Sequence, residues 1–322
     1  MTLRGTACAV KKRACVSPRT LVFCYMSIFI TVLFFRNAQA ASVWVTEGLE
    51  LCVTKLIPSL FPFMVVSALL IKSGAGRTVF SVLSRPMRAL FGIGADSSCA
   101  LALGWLCGFP VGAKCACELY ENGYISKEEY SALLCISGTP SPAFLIGSVG
   151  AGMLGSRGLG ALLYAASLAS AVIVGVFLKI KIKKYPSPPV GVSSIRSDMP
   201  FFQALTRSVS ESAVGMLNVC AFVVFFSAFL GALECSLAFL NLSETVYSLV
   251  FCFFELTSGL ARVCAVNSSY AFPLCALAVG WSGLSVHFQT MSIGLSENVR
   301  FSPYVLSHAV RAAICVVIAL LI

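Results

Sequence analysis

Charged side chains lie inside two apolar stretches of this sequence. Glu255 sits within the run from Val246 to Val263, and Arg311 sits within the last run, Ser302 to Ile322. An ionised side chain near the centre of a bilayer costs about 2.5–3.5 kcal/mol on translocon scales, so such residues usually face the bundle interior. His308 precedes Arg311 by one helical turn and shares its face. The alternatives are that Glu255 meets water at a hairpin mouth and that Arg311 snorkels to an interface.

Four polar residues form a second cluster in an otherwise apolar run: Ser282, Ser285, His287 and Gln289. If the stretch is extended, alternate residues line one side of it. These side chains could bind the hydroxyl groups or bases of a solute, or equally satisfy the backbone of an opposing broken helix. No nucleophile elbow, Walker loop, H-E-x-x-H or Rossmann fingerprint accompanies them. We therefore expect no enzymatic activity.

Composition places the chain in a membrane. Of its 322 residues, 58% are hydrophobic and 11% are charged, whereas soluble domains average about 45–50% and about 25%. The net charge of +10 fits basic cytoplasmic loops and needs no nucleic acid. The 15 cysteines are scattered through apolar runs, and Cys115-x-Cys117 lacks zinc-ligand spacing. We expect no disulfide framework, no metal and no cofactor.

Charge and hydropathy divide the chain into four parts: residues 1–36, a basic N-terminus and first transmembrane helix; 42–178; 179–200, a basic linker rich in Pro and Ser; and 201–322. The positive-inside rule places the N-terminus and the linker in the cytoplasm of a multi-pass cell-membrane protein. A cleaved signal peptide ending at Ala38-Gln39-Ala40 is the alternative for the first helix. Val43 to Leu56 suits an interfacial helix, followed by a Pro-kinked crossing from Leu56 to Ile71.

Two segments of the first half are too broken to be regular spanning helices. Gly108-Phe109-Pro110-Val111-Gly112-Ala113-Lys114 ends a short apolar stretch, which predicts a re-entrant hairpin, and Ser137-Gly138-Thr139-Pro140-Ser141-Pro142 starts the next crossing. Open backbone at membrane depth is tolerated only where protein buries it or a watery cavity meets it. We expect Gly108, Pro110 and Gly112 to expose backbone groups and Lys114 to close a cytoplasmic mouth.

The second half repeats this pattern. Leu60 to Ala68 matches Cys220 to Ala228 at an offset of 160. Further along the second half, Glu255 to Ala261 corresponds in order to the first hairpin, and Gly280 to Ser285 corresponds in order to the second break. The first half begins outside and the second inside, which predicts an inverted repeat. Paired broken helices in inverted halves indicate a midplane site in secondary transporters. The fold expected is an all-α polytopic membrane protein with two inverted repeats; the alternative is that shared membrane composition alone produces the similarity.

The motifs resemble those of a known family. Gly108 to Lys114, followed by Glu118-Leu119-Tyr120-Glu121-Asn122-Gly123 and the residues up to Glu129, is similar to the G-[YF]-P-x-G-A-K … LYE-x-G pattern of YlbJ-type sporulation integral membrane proteins. The resemblance implies two Gate, or nucleoside-recognition, domains, similar to modules of concentrative nucleoside transporters, spore maturation proteins and the FeoB iron transporter. It also implies a role in endospore formation. Relatives tend to carry an Asn pair where this chain has Gly138-Thr139.

Three functional hypotheses follow. The first is a permease for a small polar, nucleoside-like solute, with the bilayer, the solute, a coupling ion and other sporulation membrane proteins as partners. The second is a non-transporting sporulation scaffold, and the third is a metal permease using Cys107, Cys115 and Cys117. The permease hypothesis assigns solute contact to residues of the breaks and of the polar cluster: Gly108, Pro110, Gly112, Lys114, Ser137, Gly138, Thr139, Ser141, Glu255, Thr257, Ser258, Ser282, Gly283, Ser285, His287 and Gln289.

Overall fold

The computed structural model describes residues 17–73, 75–184, 199–266, 269–294 and 301–322. The regular elements of these ranges are helices. Those of the first half are α1 Pro18–Arg36, α2 Ala38–Leu51, a π-helical turn Cys52–Leu56, α3 Ile57–Lys72, α4 Ala75–Phe91, α5 Ala95–Cys107, α6 Val111–Glu121, α7 Lys127–Ser137, a second π-helical stretch Ala143–Ala151, and α8 Arg157–Lys184. Those of the second half are α9 Phe201–Leu237, a 3-10 turn Ala238–Leu240, α10 Glu244–Phe254, α11 Leu256–Ala265, α12 Ala271–Trp281, α13 Gly283–Gly294 and α14 Ser302–Leu320.

Five helical runs of the described ranges are long and apolar enough to cross a membrane, and a sixth is added if one bent pair counts as a single span. The chain is therefore an all-helical, multi-pass membrane protein. The predicted first crossing corresponds in position to α1, whose residues Thr20–Arg36 form a shorter apolar helix that is not among these runs; its apolar side chains are largely exposed. Most of the linker, residues 185–198, lies outside the described ranges.

The interfacial helix and the crossing predicted after α1 are one continuous helical run. α2, the π-helical turn and α3 follow each other without a break, and residues 38–70 form one apolar span. Prediction of two separate segments was wrong here because Pro62 lies inside α3 and helical structure continues through it. The π-helical turn ends at Leu56, two residues before Pro58, and local π-helical adjustments accommodate proline in membrane helices.

α4 has apolar side chains on two of its sides. Its apolar side chains divide between a buried side, with Met87 and Phe91, and an exposed side, with Val79 and Val82. The chain then bends by 96° between the end of α4 and α5. The buried Glu129 carboxylate accepts a hydrogen bond from the Gly94 N–H at 3.0 Å and so joins the start of α7 to the start of α5.

Each half contains two helix breaks at the predicted places. In the first half they separate α5 from α6 at Gly108–Pro110 and α7 from the second π-helical stretch at residues 138–142; in the second half they separate α10 from α11 at Glu255 and α12 from α13 at Ser282. The expectation that residues 282–289 are extended is wrong, because α13 begins at Gly283. On a helix, Ser285 and Gln289 share one face and His287 points to another.

The two long helical runs, α2–α3 and α9, pack antiparallel. Asn37 donates to Ser236 Oγ at 2.8 Å, Trp44 lies on Gly231, Gly48 lies on Ser227 and Met64 lies on Gly215. At the other end, Lys72 Nζ lies 2.8 Å from Glu211 Oε1. The contacts run in opposite order along the two chains, so the pair forms one wall along the full membrane depth. α8 and α14 pack on the opposite side of the breaks.

Candidate functional site

Three cavities follow one another along the wall formed by α2–α3 and α9. The Lys114 cavity is lined by Met64 to Lys72 on one helix and by Glu211 to Asn218 on the other. The central cavity is lined by Leu56 and Leu60 and by Val219 and Val223. The Arg262 cavity is lined by residues 44–55 and by Ser227. Since a helix rises 1.5 Å per residue, Trp44 and Lys72 are separated by about 40 Å, and the cavities follow one another along a helix pair that is long enough to cross a membrane.

The Lys114 cavity, of about 420 Å³, contains an ion-pair cluster. Glu211 Oε2 lies 3.0 Å from Lys114 Nζ, and its other oxygen binds Lys72. A single carboxylate thus ties α6 and α3 to α9. Glu118 also lines this cavity, and no hydrogen bond or ion pair joins its carboxylate to another described residue.

The Arg262 cavity, of about 400 Å³, lies beside an ion pair near the opposite end of α9. Both terminal nitrogens of Arg262 donate to the Glu234 carboxylate, at 2.9 and 2.7 Å. The guanidinium also lies 4.4 Å from the centre of the Phe251 ring, a cation–π distance. A bidentate pair is geometrically specific, and it ties α11 to α9.

The central cavity is small, about 20 Å³, roughly the space of one water molecule. Residues from the breaks of both halves line it: Phe109, Pro140, Ser141, Glu255, Thr257 and Gln289. Within each half the two breaks touch. The Phe109 N–H donates to the Thr139 carbonyl at 3.2 Å, and a Cβ on Gly283 would lie 3.0 Å from the Leu256 nitrogen.

The backbone at these contacts requires glycine. Gly108 has a φ of +79°, and a Cβ there would lie 2.7 Å from the Ser141 nitrogen. Gly283 has a φ of +77°. A side chain at either position would strain the backbone, so these two glycines let the paired breaks approach each other.

Glu255 caps a broken helix. Its carboxylate accepts hydrogen bonds from the Thr257 N–H at 3.0 Å, from the Ser258 N–H at 2.6 Å and from the Ser258 hydroxyl. These N–H groups are the unpaired donors at the start of α11, and a negative charge there complements the helix dipole. The buried position predicted for Glu255 is confirmed, and its oxygens are largely occupied by the protein itself.

Arg311 caps the C-terminal end of a helix. It is fully buried, and its Nη1 donates to the carbonyls of Gly138 at 2.7 Å and Cys135 at 3.4 Å, at the C-terminal end of α7. Cations are favourable at that end of a helix. Its Nε donates to Ser170 Oγ at 3.4 Å, and no described carboxylate lies within ion-pair distance of it. The alternative that Arg311 reaches an interface is wrong.

Unpaired polar atoms concentrate around the breaks. Among the described residues, buried side-chain atoms without a hydrogen-bond partner include those of Ser137, Thr139, Ser285, His287, Gln289 and His308. The His287 and His308 rings are 5.0 Å apart, and a Cβ on Gly138 would lie 3.2 Å from His308 Nε2. Apart from a backbone contact with Gly280, the rings face other aromatic groups. A polar zone therefore lies beside the central cavity.

The predicted residues fall into three groups. Ser141, Glu255, Thr257 and Gln289 line the central cavity, Pro110 and Lys114 line the Lys114 cavity, and Ser258 lines the Arg262 cavity. The remaining ones are outside the lining of these cavities: Gly108, Gly112, Ser137, Gly138, Thr139, Ser282, Gly283, Ser285 and His287. Gly112 instead packs on Ser137.

Sequence reasoning missed three charged residues that line the Lys114 cavity, namely Lys72, Glu118 and Glu211. It also missed the ion pair of Arg262 with Glu234. Their signal was weak, because each lies near the end of an apolar run, where charge is ordinary. The cysteines of the metal hypothesis do not converge with other ligands: no group of three His, Cys, Asp or Glu side chains in the described ranges could hold a metal ion.

The sequence of this chain is similar to that of a known membrane protein. No protein-family model matches the chain. The chain is 25% identical to the sporulation integral membrane protein YlbJ of Bacillus subtilis (strain 168), in an alignment that covers 94% of this chain and 82% of that protein. The similarity extends well beyond the motifs around Gly108 and Glu118. The chain is therefore a relative of the YlbJ-type sporulation integral membrane proteins, as its motifs predicted.

Proposed function

We propose that this protein is a permease that moves a small polar solute across the cell membrane by alternating access. The observation that carries the proposal is the series of three cavities along α2–α3 and α9, with the helix breaks of both halves at the middle one. Discontinuous helices at the midplane are a recurrent feature of secondary transporter sites. The buried polar atoms around the breaks favour a polar solute, and a nucleoside-like one follows from the family resemblance alone.

The two ion-pair clusters act as gates in this proposal. Glu211 with Lys72 and Lys114 closes one side, and Glu234 with Arg262 closes the other. Each gate joins a helix that begins at a break, α6 or α11, to the same long helix, α9. The central cavity is too small for a solute, so the arrangement corresponds to a state in which both sides are closed.

The halves act as inverted Gate-type repeats in this proposal. Ser67 and Ser227 correspond at the offset of 160, and each hydroxyl reaches the first break of its own half: Ser67 contacts Cys107 Sγ, and Ser227 Oγ lies 3.3 Å from Ser258 Oγ. The order of long helix, hairpin, second broken pair and final helix is also the same in both halves. With the N-terminus in the cytoplasm, the Lys114 cavity opens inward and the Arg262 cavity opens outward.

A role in spore formation completes the proposal, and the similarity to a sporulation integral membrane protein supports that role. We further propose that the protein acts without catalysing a reaction and beside other sporulation membrane proteins. The similarity to this relative is equally compatible with a non-transporting scaffold. Deletion of the gene and complementation with the variants below would connect transport to spore formation.

The experiment that tests the permease places single cysteines in a Cys-free chain. Asn218→Cys reports on the Lys114 cavity and Thr54→Cys on the Arg262 cavity, with the lipid-exposed Phe177→Cys as control. Membrane-impermeant thiol reagents are applied to sealed vesicles of each orientation, and the same protein is assayed in liposomes against a metabolite panel. We expect reaction from opposite sides and uptake of at least one solute. Reaction of both cysteines from one side, together with no uptake, would sink the permease and leave the scaffold.

A further inference from the structure

The Lys114 cavity contains two carboxylates that can compete for one ammonium group. Lys114 and Glu118 are four residues apart on α6, the spacing at which side chains of a helix meet. In the structure Lys114 instead binds Glu211 on α9, at 3.0 Å. The order Lys then Glu is the weaker orientation of an i,i+4 ion pair, so a charged Glu118 is only a moderate competitor for Lys114. When Glu118 carries no charge, the pair between helices has no competitor on α6.

The surroundings of Glu118 allow its carboxylate to bind and release a proton. It lines a cavity of about 420 Å³, which gives water a route to it, and none of the described residues pairs with its carboxylate while Glu211 binds both lysines. Burial raises the pKa of Glu118 above its ordinary value, and the negative charges of Glu211 and Glu121 add to the effect. Lys114 and Lys72 act in the opposite direction.

The groups that face Glu118 come from three helices. α3 contributes Lys72, α6 contributes Lys114 and Glu121, and α9 contributes Glu211; the thiols of Cys115 and Cys117 are also close by. Loss or gain of one proton by Glu118 therefore changes how strongly its carboxylate competes with that of Glu211 for Lys114.

We infer that Glu118 binds a proton, and that this proton decides whether Lys114 stays on Glu211. With the proton bound, Glu118 is neutral and Lys114 ties α6 to α9. When the proton leaves, Glu118 competes for Lys114, the tie weakens and the Lys114 cavity opens. The inference rests on the proposed function for its meaning, since it makes the proton the ion that controls one gate of the permease.

The test measures the distance between α6 and α9 without any solute. Spin labels are attached to Asn122→Cys and Phe202→Cys in a Cys-free, purified chain, and distance distributions are recorded at pH 5.5 and pH 8.5. We expect one short distance at the lower pH and a longer or broader distribution at the higher pH. Glu118→Gln should keep the short distance at both values, and Glu211→Gln should lose it at both.

The matched control is Glu121→Gln, which removes an exposed carboxylate from the same helix; it should keep both distances, with the transition moved to a lower pH because Glu121 helps to raise the pKa of Glu118. A wild-type distance that does not change with pH while Glu211→Gln changes it would overturn the inference, because the gate would then exist without proton control. An undiminished pH response in Glu118→Gln would overturn it as well. Neither result depends on transport, so a failure here is distinguishable from a failure of the permease.

Discussion

The guanidinium of Arg311 donates a hydrogen bond of 2.7 Å to the carbonyl of Gly138, 173 residues earlier in the chain. The last helix thereby completes the broken end of α7. Inside the membrane that carbonyl has no water to bind, and Arg311 in turn has no described carboxylate to balance its charge. The unpaired carbonyl of Gly138 and the buried charge of Arg311 are each costly alone, and the hydrogen bond between them stabilises both.

Replacing Arg311 with Gln should destabilise the protein strongly. A hydrogen bond to a charged group contributes about 1.5–3 kcal/mol, and Arg311 makes several such bonds to carbonyls and a hydroxyl. We expect a clearly lower Tm for the purified protein in detergent. Arg157→Gln, which changes an exposed arginine at the start of α8, is the control. Equal Tm values for the two variants would contradict the capping role.

Replacing Glu255 with Ala should cost more stability than replacing it with Gln. Alanine leaves the Thr257 and Ser258 N–H groups buried without an acceptor, a loss of about 0.5–2 kcal/mol for a helix cap, and a buried unpaired donor adds to it. Gln keeps one oxygen acceptor. Thermal unfolding should therefore rank wild type above Gln and Gln above Ala; a Gln variant no more stable than Ala would show that charge alone matters.

Gly231→Ala should separate α2 from α9. A Cβ at that position would overlap the Trp44 ring, so the ring or the helix has to shift. Overpacking of this kind costs about 1–3 kcal/mol. Gly215→Ala on the same helix is the matched control, because its Cβ would meet only the flexible end of Met64 and alanine favours a helix by about 1 kcal/mol. Equal unfolding of both variants would refute the tight contact.

Glu234→Gln should open the Arg262 cavity. The substitution removes the charge that holds both terminal nitrogens of Arg262, and Glu244, 3.7 Å away, is too exposed to replace it fully. We expect a several-fold faster reaction of Thr54→Cys with an impermeant thiol reagent. Glu47→Gln, which removes another carboxylate of the same cavity, is the control, and the same acceleration in both would argue against a gate.

The sequence predicts the elements of the fold better than their contacts. Gly108-Phe109-Pro110 and Ser137 to Pro142 break helices because proline removes an N–H and glycine tolerates a positive φ, so both breaks are readable from residue types. Pro62 misled the prediction because a proline can lie inside a membrane helix without ending it. The extended interpretation of residues 282–289 failed because Ser282, Ser285 and Gln289 are spaced by three and four residues, which fits one face of a helix.

The site was only partly predictable for a related reason. Glu255 and Arg311 are conspicuous, since a charge in an apolar run is costly, and both are buried as expected. Lys72 and Glu211 lie where charges are common, and only the antiparallel packing of α3 on α9 brings them to 2.8 Å. Long-range pairing of this kind carries no signal in residue type or local spacing.

The bond between Arg311 and Gly138 also sets an order for biosynthesis. A ribosome adds about 5–20 residues per second, so the 173 residues between the two partners take roughly 9–35 s to synthesise. For that time the end of α7 is in or beside the translocon without its guanidinium. The first half therefore cannot reach its final packing before the last helix is inserted, and a chain truncated ahead of α14 should be a substrate for membrane quality-control proteases.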